Sequence, residues 1–446
     1  MKKFAYYLFT LSYLFTITSC NTEKRTTEPP LYSQKMAESR ALETFVTNKW
    51  EQRLETAHWD YVPGLVANSV LKAWEQYPEK TRYYDVVKTY ADFCLKGADT
   101  VKVGVSNIDD LAAGKILFVL YQQEMKNGNV EDAERYKHCL TFLRNKLKYN
   151  HSRIAAPKLG AGGFYHKAVY PDQMWLDGLY MGPALYAEYQ GQFKDDFTEQ
   201  ENTEAWSDIA QQFKTLHQYT YDTEKQLNYH AWSANPTDSN SFWARQEPPY
   251  LGCSQEFWGR GMGWYFAALV DVLEWMPQEH ADFEALKSII NQVASGLARW
   301  QDAQSGCWYQ LLQHDATVTA DGKGDTIQGN VYNIGDNPNY LESSASSMFT
   351  YAYLKGIRLG LLDEETFLPV AEKAYQGLID TFIREEADGK ISIIQSCASA
   401  GLGPAKDLSR TGTINYYLCG KDITITQNEG KAIGPFIMAS IEYEMR

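Results

Sequence analysis

The stretch Glu256-Phe257-Trp258-Gly259-Arg260-Gly261-Met262-Gly263-Trp264-Tyr265 opens a helix, and the residues that follow it fix the fold class. Phe266, Leu269, Val270 and Leu273 recur at i, i+3, i+4 and i+7, the spacing of one helix face. Ala113, Ile116, Leu117 and Leu120 repeat the pattern, as do Phe367, Val370, Ala371 and Ala374. Caps, glycines and prolines bound about twelve helices. They lie near 35–55, 64–78, 81–97, 109–127, 131–147, 174–192, 201–219, 257–276, 280–300, 341–360, 364–384 and 429–445. Pro78 and Pro277 each stop a helix, and Asp109 or Asp110 is placed to cap another. Strand-like alternation is confined to 391–395 and 413–418. The connections at 148–173, 220–256, 301–340 and 385–428 are long and rich in Trp, Tyr, His, Gly and Asn, the mark of functional loops. Helices in sequential pairs build an open solenoid or a closed ring. Long loops gathered over one mouth favour the closed all-α barrel.

With 446 residues, 44% of them hydrophobic, the chain can bury a large core, and no low-complexity stretch divides it. Residues 35–446 are therefore expected to form one domain behind a leader. Lys2 and Lys3 precede an apolar run, Phe4 to Ile17, too short for an ordinary membrane span. Ile17-Thr18-Ser19-Cys20 resembles the lipobox of bacterial lipoproteins. That resemblance implies a signal peptide over 1–19, a lipid on Cys20, a tether over 20–34, and a periplasmic or outer-membrane location. A plain secretory signal is the alternative. Losing Lys2 and Lys3 takes the net charge from −14 to −16. So acidic a protein does not bind nucleic acid or an anionic membrane through its overall field, which leaves the lipid as the membrane link. An acidic substrate would need a local cluster of positive charge. Cys94, Cys139, Cys253, Cys307, Cys397 and Cys419 show no zinc spacing, so no metal site is expected; buried free thiols are the simplest reading, with disulfides left open.

Five features carry candidate chemistry. Asp177, in Tyr170-Pro171-Asp172-Gln173-Met174-Trp175-Leu176-Asp177-Gly178-Leu179-Tyr180-Met181, is read as two turns into a helix that starts at Pro171. On that apolar and aromatic face desolvation would raise its pKa, as a general acid requires; the alternative is an acid facing solvent or a neighbouring helix end. Asp109 and Asp110 are adjacent, so one can cap while the other is free. His166, in Gly162-Gly163-Phe164-Tyr165-His166-Lys167, sits in a loop whose glycines would let a ligand approach the backbone. His230 lies in Leu227-Asn228-Tyr229-His230-Ala231-Trp232; each histidine is equally readable as an ordinary hydrogen-bonding residue. Arg260 can fork onto a carboxylate while Trp258 or Trp264 stacks on a ring, or it can stack on Trp in the core. Aromatic residues make up 14% of the chain, a high share; most are expected in the core, and the rest suit stacking on the apolar faces of sugars. With no Walker loop or Gly-x-Ser-x-Gly elbow, the pattern points to acid/base chemistry on a carbohydrate that carries a carboxylate.

From residue 35 to the end the chain resembles the unsaturated rhamnogalacturonyl hydrolases of glycoside hydrolase family 105, relatives of the unsaturated glucuronyl hydrolases of family 88. The resemblance is carried by Asn107-Ile108-Asp109, Gly162 through Met181, Leu227 through Trp232, Phe257 through Trp264, and Asn339-Tyr340-Leu341-Glu342-Ser343-Ser344. Leu354 through Leu361 and Gly430-Lys431-Ala432-Ile433-Gly434-Pro435-Phe436 add to it. It implies an (α/α)6 barrel of six helical hairpins. It also implies removal of a 4,5-unsaturated uronic acid from pectin-derived oligosaccharides, by protonation at C4 and addition of water at C5, with no cofactor. Carried over, Asp177 is proton donor and base and Asp109 assists it. His166, His230, Trp258, Arg260, Trp264 and Tyr61 (in Trp59-Asp60-Tyr61) would bind the sugar. Two departures, Ser233-Ala234-Asn235 in a lengthened 233–256 loop and Asp110 where a His is common, bear on the preference for the leaving group. A polysaccharide lyase or inverting glycosidase on the same barrel, and a non-catalytic sugar-binding lipoprotein, are the rival readings.

Overall fold

The computed structural model describes residues 31–46 and 59–446. The expectations for a signal peptide, for Cys20 and for most of the tether lie outside these residues. The compact unit runs from Leu31 to Arg446. It begins four residues before the expected boundary, because Tyr32–Met36 already forms a helical turn that buries Ser33 and Met36.

Six layers of paired helices follow. The first outer helix, α1 (Tyr32–Met36), passes through a π-helical turn (Ala37–Ala41) into α2 (Leu42–Val46), and α3 (Tyr61–Gln76) is its inner partner. Outer α4 (Thr81–Leu95) precedes a 3-10 segment, Ile108–Lys115, that runs into inner α5 (Ile116–Asn127). Outer α6 (Val130–Asn145) precedes the inner pair α7 (Leu176–Met181) and α8 (Pro183–Gln192). Outer α9 (Glu199–Thr220) pairs with inner α10 (Gly259–Trp275), and outer α11 (Phe283–Arg299) with inner α12 (Ser343–Arg358). Outer α13 (Glu364–Phe382) precedes a short α14 (Ile414–Cys419) and inner α15 (Gly430–Glu444). The inner helices pack in a ring: α3 on the 3-10 segment, that segment on α7 and α8, these on α10, then α12 and α15, and α15 back on α3. This is the (α/α)6 barrel.

Burial explains which sequences go where. Every residue from Gly259 to Leu273 in α10, and every one from Ser343 to Ile357 in α12, is buried, so these helices need small residues where their neighbours press close. A Cβ at Gly263 would stand 2.8 Å from the Met348 sulfur, and one at Gly261 3.2 Å from the His230 ring. Outer α11 instead buries one stripe, with Leu286, Ile289, Ile290, Val293, Ala294 and Leu297 turned inward. Local caps fix several helix starts: Thr198 and Glu201 form a capping box on α9, and Asp60 caps α3.

Among the described residues, the inner helices α5, α8, α10 and α12 are left through short turns, and the long segments before α7, α10, α12 and α15 collect at the N-terminal ends of these inner helices. There they pair edge to edge. Asn107 bridges Lys167, Gln173–Trp175 pairs antiparallel with Ala231–Ser233, Trp258 bridges Leu311 and Tyr309 bridges Leu341. Ile391–Ile393 pairs with Ile383–Glu385, as its alternation predicts. The other expected strand, 413–418, is instead helix α14, with the Thr413 hydroxyl accepting from the Tyr416 N–H. Six alternating residues fit one turn of buried helix as well as a strand, and a cap decides between them.

Candidate active site

Backbone pairing at the mouth, rather than helix spacing, sets the functional side chains. The ladder from Gln173–Trp175 to Ala231–Ser233 extends one step further, where Leu176 N–H donates to the His230 carbonyl at 3.0 Å. That step sets Asp177 beside His230, and His230 Nε2 lies 3.0 Å from Asp177 Oδ2. Helix α7 therefore starts at Leu176, and Asp177 sits in its first turn instead of two turns in. Pro171 and Asp172 form the turn before the strand, with Asp172 at φ +59°.

A second pairing brings the other acid in. Ile108 N–H donates to the His166 carbonyl and Ala168 N–H to the Ser106 carbonyl. Asp109 then meets Lys167 Nζ at 2.6 Å and His166 Nε2 at 3.6 Å. Asp110 turns the other way, accepting from Gly104 N–H and from the Asn107 amide at 2.7 Å each. Neither acid caps the helix as expected; Asp110 ties down the preceding loop and Asp109 is left for the site.

A cavity of about 240 Å³ opens at this mouth, lined by Tyr61, Asp109, His166, Asp177, Trp258, Arg260 and Trp264 among the expected residues. His230 stands behind Asp177, fully buried, and does not line it. Lys431, Arg410, Met181, Trp175, Tyr170, Lys167 and Ser399–Gly401 complete the wall. Of these, Lys167, Tyr170, Trp175, Met181 and Lys431 fall inside stretches that carry the family resemblance, whereas Arg410 and Ser399–Gly401 come from a long loop with no signature. The glycines at 162 and 163 serve packing and not ligand approach, since a Cβ at Gly163 would stand too close to the Met174 sulfur.

Aromatic rings frame the cavity. His166, Trp175 and Tyr170 form a stack, with His166 and Trp175 centroids 4.3 Å apart at 8°. Tyr61 meets Trp264 edge-on at 6.4 Å, and Trp258 lies 4.6 Å from the His230 ring. Burial, and then the Lys167 charge, push the His166 imidazole well below its ordinary range, so His166 is neutral.

The charge balance reverses that of the chain. Lys167, Arg260, Arg410 and Lys431 face the cavity against Asp109 and Asp177, in a protein of net charge −14. Arg260 is 1% exposed, and its Nη2 donates to the Cys397 carbonyl while Nε and Nη1 are buried without a partner. Buried N–H donors are rarely left so. Burial, then the Arg260 charge, lower the Lys431 ammonium from its ordinary value even though Glu429 accepts from it at 2.6 Å. An anion seated here would relieve both cations, and inner-helix N-termini on every side favour one. Among the described residues no group of three His, Cys, Asp or Glu side chains is placed to hold a metal ion, and all six described cysteines are free thiols.

Comparison with known proteins agrees with this chemistry. The family model described as Glycosyl Hydrolase Family 88 matches residues 32–321 and 329–446. A solved glycoside hydrolase from family 105 of C. acetobutylicum is 35% identical, covers 94% of this chain and 100% of its own, and superposes with a TM-score of 0.76. An unsaturated rhamnogalacturonyl hydrolase of Bacillus subtilis is 23% identical over 363 residues, 80% of this chain and 84% of that protein. An unsaturated 3S-rhamnoglycuronyl hydrolase of Formosa agariphila is 24% identical over 257 residues, 56% of this chain and 57% of that protein.

Proposed function

This chain belongs to the glycosyl hydrolase family 88 and 105 group, and from that premise we propose that it removes a 4,5-unsaturated uronic acid from the non-reducing end of rhamnogalacturonan-derived, pectic oligosaccharides. The observation that carries the reading is the cationic cavity in an acidic protein, with two Arg260 N–H groups awaiting a partner. A uronate carboxylate supplies that partner, and about 240 Å³ accommodates one sugar ring with the rest of the oligosaccharide outside. Relatives named for unsaturated rhamnogalacturonyl and rhamnoglycuronyl substrates support the same class.

In the proposed reaction Asp177 enters as the neutral acid and gives its proton to C4 as the C4=C5 bond opens. Water adds at C5 and returns a proton to the Asp177 carboxylate. The hemiketal so formed collapses, the ring opens, and the leaving sugar departs. Asp109, held by Lys167, assists from the facing wall. Trp264, Trp258 and the His166–Trp175 stack hold the ring faces, Tyr61 flanks Asp109, and Arg260 with Lys431 holds the carboxylate. His230 supports Asp177 from behind.

The test is loss of the enol-ether absorbance of an unsaturated rhamnogalacturonan disaccharide. Wild type should remove it, and Asp177→Asn should slow the loss by about 10²–10⁴-fold, the usual contribution of a positioned acid. A rise of absorbance on intact polysaccharide would identify a lyase instead. No change on any unsaturated uronide would sink the proposal and favour sugar binding without turnover. Export as a lipoprotein is proposed from the lipobox alone. A fatty-acid label should attach to the full chain and be lost in Cys20→Ala; a label retained by that variant overturns it.

A further inference from the structure

Behind Asp177 lies a buried chain of hydrogen bonds whose far member, Tyr417, the reaction above does not use. His230 Nε2 is 3.0 Å from Asp177 Oδ2, and His230 Nδ1 is 2.7 Å from the Tyr417 hydroxyl. Tyr417 and His230 are both fully buried. Trp258 closes the relay on one side, its ring stacked on Tyr417 with centroids 6.1 Å apart, and Trp175 meets His230 edge-on at 5.4 Å. Tyr417 comes from α14, the helix that stands where alternation suggested a strand.

Hydrogen-bond accounting selects one arrangement of the protons. Burial, then the nearby Tyr416 and Asp177, raise Tyr417 well above the ordinary tyrosine range, so its hydroxyl keeps its proton and must donate it. Among the described residues the acceptor within reach is His230 Nδ1. The opposite arrangement, with Nδ1–H donating to the phenol oxygen, would strand the phenol proton in an apolar site. An unpaired buried donor is costly enough to disfavour that arrangement by about tenfold or more.

We propose that Tyr417 is a positioning residue: its donation to Nδ1 fixes His230 as the Nε2–H tautomer, which occupies Asp177 Oδ2 and leaves Oδ1 to carry the transferable proton into the cavity. The Asp177 Oδ1–H bond breaks as the C4–H bond forms, and Asp177 is recharged by the proton from water. His230 and Tyr417 keep their own protons throughout, because Nε2 is already protonated and the Nδ1 lone pair only accepts from the Tyr417 hydroxyl. A ring nitrogen that donates cannot also act as a base, so His230 holds Asp177 in place without competing for its proton. The role of Asp177 rests on the proposed function; the tautomer does not.

Nitrogen-15 NMR of histidine-labelled full chain tests it, with the His230 signals assigned by their loss in His230→Gln. Wild type should show a protonated Nε2 and a bare Nδ1. Tyr417→Phe, which keeps the ring against Trp258, should show both tautomers, and kcat should fall by about 10- to 100-fold with KM within about threefold. In a His230→Gln background, Tyr417→Phe should have no further effect on kcat. A protonated Nδ1 in wild type, an unchanged kcat in Tyr417→Phe, or an additive loss in the double variant would each overturn the proposal. If no unsaturated uronide is consumed while the tautomer is as stated, the function falls and the relay stands.

Discussion

Two clusters of buried charge occupy the barrel, one at the mouth and one about 16 Å further along α10 at the helical rise. At the far end Asp271 accepts from Lys115 Nζ and Lys355 Nζ at 2.7 Å each and from the Tyr351 hydroxyl at 2.8 Å. Lys355 also meets Glu274 at 2.8 Å, and Arg358 forks onto Glu442 at 2.7 and 2.8 Å. Burial alone would raise the Asp271 carboxyl, but Lys115 and Lys355 outweigh it and hold it below the ordinary range. Asp271, Lys115, Lys355, Glu274 and Glu442 each have a counter-charge there. At the mouth, Arg260 keeps two N–H groups without a partner. The difference separates a charge that holds the barrel, which is satisfied, from one left unsatisfied at the mouth, where the proposed substrate carboxylate would pair with it.

The largest effect expected from this contrast comes from Asp271→Leu. It leaves Lys115 and Lys355 buried with their main partner gone, so urea unfolding should show a loss of about 3–5 kcal/mol. An unchanged midpoint would break the comparison. Arg260→Met should do the reverse. Stability should stay within about 1 kcal/mol, because the variant also removes two unpaired donors, while kcat/KM falls by about 100-fold as charge-assisted bonds to the substrate carboxylate are lost. A large loss of stability with little change in kcat/KM would move Arg260 to the structural class.

The smallest effect sharpens the far cluster. Burial raises the Glu188 carboxyl from its ordinary 4.5 to about 7, with Lys72 and Lys115 only partly offsetting it. The folded chain thus holds this proton more tightly than the unfolded chain does. Ionisation therefore costs stability, which is lost as pH rises from about 4.5 to about 7. Melting temperature should fall over that window in wild type and fall less in Glu188→Gln. Equal slopes would show that Glu188 does not titrate there.

The helical plan is readable in the sequence because period and caps are local. Pro78 and Pro277 act within a turn of where they sit, since the helices before them end at Gln76 and Trp275. The candidate site is readable only where its residues cluster in chain order, as Trp258, Arg260 and Trp264 do at the start of α10. Residue type singles out Asp177 as a candidate, but pairing of Gln173–Trp175 with Ala231–Ser233 overrides the start signal of Pro171 and puts it in the first turn of α7. His230 shows the same limit: nothing local tells that it stands behind Asp177 and not in the cavity. Tyr417 and Arg410 reach the site through a loop folded across other hairpins, and no spacing within 385–428 encodes that.

The ring closes through its last member, since α15 packs between α12 and α3 and α1 packs upon it. Ser33 N–H donates to Glu444 at 2.9 Å, and the Tyr77 hydroxyl does so at the same distance. Lys431, from the first turn of α15, also completes the cavity wall. A chain still being synthesised thus has an open flank and an unfinished pocket until α15 emerges. Barrel closure and the working pocket then arrive in one step, and a truncation within 430–444 abolishes both together.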